Sequence, residues 1–139
     1  MSDAQNPQAA APPPAVTDTR MLAIICYGLF ILAFTNGLTA IAGVVLAHIK
    51  RADARGTIWE SHFTNLIHVF WIGVAFWVVF LIAALFGAVG TWHMAITDEF
   101  YPPMFALPLL GLAFLIYVVW YLYRTVRGLL RALENKPYA

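Results

Sequence analysis

Ninety of the 139 residues lie in three stretches that contain no Asp, Glu, Lys or Arg: Met21–Ile49, Ser61–Thr97 and Phe100–Tyr123. Their lengths are 29, 37 and 24 residues. A soluble chain this short leaves too much of its area in water to hide so much apolar surface. Charged residues make up only 11% of the chain, which excludes the disordered and nucleic-acid-binding classes. Cysteine is nearly absent too. The lone Cys26 rules out an intramolecular disulfide, and an apolar setting opposes the thiolate that a catalytic cysteine needs. No nucleophile–base pairing, phosphate-binding glycine loop or Cys/His zinc motif occurs.

What remains is a membrane composition. About 20 apolar residues cross the ~30 Å hydrocarbon core as a helix, and each stretch is long enough. The expected fold class is an all-α membrane protein, a small bundle of transmembrane helices built from three hydrophobic segments. Residues 20–136 form the helical domain and 137–139 a short tail. Ahead of it, Ser2–Thr19 carries four prolines and many alanines, the composition of a disordered tail with polyproline character at Pro12–Pro14. The only early cation is Arg20, so no cleaved signal is read and the first segment is itself the insertion signal.

Cations mark the cytoplasmic side. The first loop carries Lys50, Arg51 and Arg55, whereas the second carries only Asp98 and Glu99. Arg124, Arg127, Arg131 and Lys136 follow the third segment. If each segment crosses once, seven cations lie inside and Arg20 outside, with the C-terminus cytoplasmic. The first segment is irregular, because Thr35-Asn36-Gly37 interrupts its middle and Asn–Gly is a turn signal. A single kinked crossing is favoured over a re-entrant hairpin.

The second segment opens on Thr57-Ile-Trp-Glu60, a capping-box pattern. At 100° per residue, Ser61, Thr64, Asn65 and His68 share one face, while Trp59, Phe63, Leu66 and Phe70 lie opposite. The third begins after Tyr101-Pro102-Pro103, with Pro108 expected to kink it. Tyr117, Trp120, Tyr121 and Tyr123 ring its far end as an interfacial belt, joined by Trp59 and Trp71. Small residues recur at four-residue spacing, as in Ala33 with Gly37 and Gly43 with Ala47, and permit close helix approach.

Ion-coupled transport by a buried carboxylate is excluded, since no segment contains one. His48, His62 and His68 all fall toward the cationic side and are the candidates for a metal or haem gripped from two helices. Their spacing argues for interfacial histidines instead, because His62 and His68 are about 120° apart on the helix. No cofactor and no resident metal are expected. Arg124, Arg127 and Arg131 form one stripe at i, i+3 and i+7. With Lys50, Arg51 and Arg55 they set topology or meet lipid phosphates.

The run Gly37-Leu-Thr-Ala-Ile-Ala-Gly43, then Ala47-His-Ile-Lys-Arg51, Ala54-Arg-Gly-Thr57 and Glu60-Ser-His62, resembles small bacterial membrane proteins of unknown function. That group is similar to the twenty-kilodalton import component of the chloroplast inner envelope, the Tic channel family, and to the magnetosome protein MamF. The shared features are a hairpin-like apolar start, a basic loop and a Glu–His motif opening the next helix. The resemblance implies a polytopic protein of the bacterial inner membrane, oligomeric, with no assigned catalytic residues. Sequence and resemblance together point to a non-enzymatic scaffold, homo-oligomer or accessory subunit of a membrane complex, with the bilayer as its partner and no nucleic acid. The alternative is a solute- or cofactor-binding protein that uses the polar stripe and the histidines.

Overall fold

A computed structural model describes residues 16–97 and 106–138. The proline-rich tail and the link holding Asp98, Glu99 and Tyr101–Pro103 lie outside the described residues. Four helices follow in order: α1 (Val16–Asn36), α2 (Leu38–Asp53), α3 (Ile58–Thr97) and α4 (Ala106–Leu133). There is no strand among the described residues. Asp18–Asn36, Ile58–Thr97 and Pro108–Leu133 are each long and apolar enough to cross a membrane. These are the dimensions of a multi-pass membrane protein.

The first segment is two helices, and they fold back on each other. Gly37 adopts φ 70°, a conformation that disfavours any side chain. Beside it, the Asn36 side chain accepts the Thr39 N–H (3.3 Å) and so caps the start of α2. A Cβ on Gly43 would stand 2.9 Å from the Phe30 ring, so α2 descends in close contact with α1. At the foot of the hairpin, Arg20 donates to the Leu133 carbonyl at the end of α4 (3.0 Å).

That contact overturns the single kinked crossing. One crossing would separate Arg20 from Lys50 by the thickness of the membrane, whereas the hairpin brings both to the end where α4 finishes. All eight Lys and Arg residues therefore lie at one end of the bundle. The expected break at Asn36–Gly37 is present, but it is a reversal of direction and not a bend.

Helices α1, α2, α3 and α4 run alternately up and down. Helix α1 packs on the other three, while the backbones of α2 and α4 do not approach each other closely. The core lies at the cationic end. It is built from Ala23, Cys26, Tyr27 and Phe30 of α1, Val44 and Ala47 of α2, and Trp59, Phe63, Leu66 and Val69 of α3. Tyr121, Thr125, Gly128 and Ala132 supply the α4 face at a period close to 3.6. Beyond Val69, the only buried residues of α3 are glycines.

Other expectations change in detail. Helix α1 begins at Val16, four residues before the boundary expected at Arg20, with Asp18 in its first turn, where the helix dipole favours an acid. Pro108 falls in the first turn of α4, where no intrahelical N–H is lost, so it gives no reason for a kink. The aromatic belt is largely inward. Tyr121 is buried and donates to the Phe30 carbonyl (2.7 Å), Tyr117 stacks on Phe76 at 4.0 Å, and Trp59 is in the core. Tyr123 and Trp71 alone among the six are exposed.

Candidate functional site

The polar residues of the early α3 turns meet α1, α4 and the C-terminal tail at the cationic end. The cap at Thr57 differs slightly from the expected box. Thr57 Oγ1 accepts the Trp59 N–H (3.3 Å), and the Glu60 carboxylate reaches back to the Gly56 N–H (3.0 Å). At the other end, Asn135 takes φ 55° and the Lys136 N–H bonds the Arg131 carbonyl (2.9 Å), the left-handed helix stop. That reversal sends Lys136–Tyr138 back across the start of α3.

One chain of hydrogen bonds ties these pieces together, and its direction is set by chemistry. Arg124 Nε can only donate, so it faces the Asn65 carbonyl oxygen (2.7 Å). The Asn65 amide nitrogen then donates to Tyr27 Oη (3.2 Å). At the far end, His62 Nε2 faces the Lys136 carbonyl (2.8 Å) and must carry the proton. In the neutral ring Nδ1 is left as acceptor, and Tyr27 Oη donates to it (3.2 Å). Helices α4, α3 and α1 and the tail are thus joined through Asn65, Tyr27 and His62, all buried. Buried polar groups are costly unless each is satisfied. These are.

Glycine makes this approach possible. A Cβ on Gly128 of α4 would collide with the Tyr27 ring. Gly128 sits inside the arginine stripe, and its place there was the signal that a large ring docks on this face.

The predicted polar face divides. Asn65 is buried in the chain just described, and Ser61 Oγ accepts the Tyr138 N–H (3.0 Å) and donates to the Ile58 carbonyl (2.6 Å). Thr64 is half-buried and His68 is exposed. All four line one polar groove of about 390 Å³ with Thr57, Glu60, Arg124 and Tyr138.

The arginine stripe divides as well. Arg124 turns inward, with its guanidinium carbon 5.7 Å from the Trp120 ring centre and 5.5 Å from that of Tyr138. Arg127 donates to Tyr123 Oη, and Arg131 to the Pro137 carbonyl, both at 3.0 Å. At the end of α2, Lys50 pairs with Asp53 (3.0 Å), while Arg51 and, just beyond the helix, Arg55 are exposed. In the tail, Lys136 pairs with Glu134 (2.8 Å) and holds that carboxyl below its usual range.

The three candidate histidines take separate roles. His48 Nδ1 donates to the carbonyl of Val44 on its own helix (3.0 Å), His62 is held between Tyr27 and the tail, and His68 faces outward. Among the described residues, no three His, Cys, Asp or Glu are grouped as a metal site requires. Of the three residues at the heart of the network, His62 was a sequence candidate, whereas Tyr27 and Tyr138 were not, because periodicity within one helix could not reveal them.

Comparison with family models, with curated proteins and with solved structures finds no match to this chain.

Proposed function

We propose that this is a non-enzymatic protein of the bacterial inner membrane that works by assembling, as a homo-oligomer, a scaffold or an accessory subunit of a larger complex. The carrying observation is the far half of α3 and α4. There the hairpin has ended, and Leu85, Phe86 and Trp92 are 66%, 66% and 72% exposed. Among the described residues, two helices alone present large apolar groups there on most sides, a surface that lipid or another helix can cover.

The orientation follows from the cations. With every Lys and Arg at one end, the positive-inside rule makes that end cytoplasmic, together with the N-terminal tail and the C-terminus. On this reading α3 and α4 cross the bilayer and the α1–α2 hairpin is re-entrant. Its elbow at Gly37 lines an apolar groove of about 420 Å³ with Gly73, Trp77 and Phe114, halfway along α3. Backbone opened at such depth is tolerated where protein covers it. The resemblance to the Tic channel family implies the same kind of molecule, a polytopic oligomer without catalytic residues.

Sizing the full chain in mild detergent tests the proposal. A defined oligomer or a co-purifying membrane partner is the expected result. A strict monomer with no partner, in detergent and in lipid nanodiscs alike, would defeat it. A second reading, ligand binding at the polar stripe, is favoured by one observation: the stripe lines a groove with Arg124.

A further inference from the structure

The polar groove holds two opposite charges that do not meet. Arg124 and Glu60 both line it, yet the ion pairs among the described residues are Lys50–Asp53 and Lys136–Glu134. Each of the two groups is held by something else. Arg124 Nε is committed to Asn65, and its guanidinium is flanked by Trp120 and Tyr138, which leaves its two terminal nitrogens without an acceptor among the described residues. Glu60 Oε2 takes the Gly56 N–H, and its other oxygen is unclaimed. Neither α1 nor α2 lines the groove, so it opens on the side of the bundle away from the hairpin.

The two charges are also ordered along the helix. Asn65, which holds Arg124, stands one turn before Val69, where α3 becomes apolar all round. Glu60 lies five residues further from the apolar stretch, about 7.5 Å along the axis at 1.5 Å per residue. The cation is therefore on the membrane side and the carboxylate on the water side. A phospholipid with a terminal amine has the complementary order: its phosphodiester joins the acyl-bearing glycerol, and its ammonium is farther out. Terminal guanidinium nitrogens suit phosphate oxygens, and a primary ammonium can donate to a carboxylate.

We propose that this groove binds the zwitterionic headgroup of an aminophospholipid, phosphate on Arg124 and ammonium on Glu60. A glycerol headgroup satisfies only the first contact. A choline headgroup has no N–H to give the second. The inference goes beyond assembly and rests on the membrane orientation above, which has its own check in side-specific labelling. A failure here leaves that orientation standing.

The test is lipid retention by the full chain in detergent, read by native mass spectrometry during titration with ethanolamine, glycerol and choline phospholipids of identical acyl chains. The ethanolamine lipid is expected to bind about tenfold more tightly than the choline lipid, the lower end of what one hydrogen bond to a charged group contributes. Glu60→Gln keeps an oxygen for the Gly56 N–H. It should remove the ethanolamine preference while leaving the glycerol lipid unaffected. Arg124→Gln should weaken ethanolamine and glycerol lipids together. Because it also breaks the Asn65 contact, Glu60→Gln is the deciding variant. Equal retention of all three lipids by the wild type would overturn the proposal, and so would an ethanolamine preference that survives Glu60→Gln. Competition by soluble glycerophosphoethanolamine as strong as that of the lipid would overturn the lipid assignment in favour of a soluble phosphate ester.

Discussion

The two halves of this molecule are stabilised in different ways. At the cationic end, four helices close around Tyr27, His62 and Asn65, and all four contribute buried residues to the core. At the far end, α3 and α4 continue as a pair, with their bulky groups outward. The first half is organised like a soluble bundle with a polar heart. The second depends on its surroundings, lipid or another helix, to cover what it exposes. In a bilayer, apolar groups gain nothing by leaving lipid for protein. Specificity in the first half therefore comes from hydrogen bonds and close glycine contacts, and the second is left open for association.

The largest difference to test is topological. Single cysteines replacing Asp18 and Glu134, both exposed, should label with an impermeant reagent from the same side of the membrane. A cysteine replacing Ile96, at the end of α3, should label from the other side. Cys26 is fully buried and should stay silent. Opposite accessibility of positions 18 and 134 would restore the single crossing and dissolve the hairpin.

Next in size is the contrast between two glycines of α4. Gly128→Ala places a methyl group into the Tyr27 ring and should cost about 3 kcal/mol, at the upper end of overpacking penalties. Gly111→Ala meets nothing within 4 Å and is exposed, so it should cost nothing and can gain up to ~1 kcal/mol from helix propensity. Thermal melting in detergent compares them directly. Equal melting temperatures would mean that the hairpin does not dock on α4 as described.

Within the polar stripe, the structure separates residues that periodicity treats alike. Asn65→Leu strands the Arg124 Nε and removes a donor from Tyr27, a loss of about 2 kcal/mol. His68→Leu, at an exposed position, should stay within about 0.5 kcal/mol. Tyr27→Phe should be strongly non-additive with Asn65→Leu, since both interrupt one chain. Additive losses would show that the chain does not act as a unit. Thr125 tests the same half in the opposite direction. Its Oγ1 is buried without a partner, so Thr125→Val should gain about 1 kcal/mol.

Much of this was legible in the sequence, and the gaps have physical causes. The three apolar segments stand out because charge is excluded from them, and the break at Asn36–Gly37 because glycine accepts the positive φ found there without a steric cost. The hairpin was legible only as the less favoured of two alternatives. Twenty-nine residues are too many for one crossing and too few for two, and counting cations assumes the very crossings at issue. The polar face of α3 could be read from a 100° step. Its partners could not, because Tyr27, Lys136 and Tyr138 lie 35, 74 and 77 residues from the groups they contact. Long-range pairing leaves no local pattern; only the small residue opposite a large one, Gly128 against Tyr27, hints at it.

The smallest effect on the fold should come from the far half, and there the comparison becomes sharpest. Leu85 and Phe86 of α3 are each two-thirds exposed, so replacing both by alanine removes little packing within one chain. Substitutions at exposed positions ordinarily fall within ±0.5 kcal/mol, and the melting temperature of the separated monomer should hardly move. Assembly is another matter. If this surface meets a second helix, the double variant removes van der Waals contact from an interface that has little else to hold it, and the oligomer seen by sizing should dissociate at lower protein concentration. A fixed monomer stability with a weakened oligomer is the expected pair of results. Loss of monomer stability would mean that the far half packs onto its own chain after all. An unchanged oligomer would move the assembly surface elsewhere, with the exposed α4 face at Leu109 and Leu112 next to be changed.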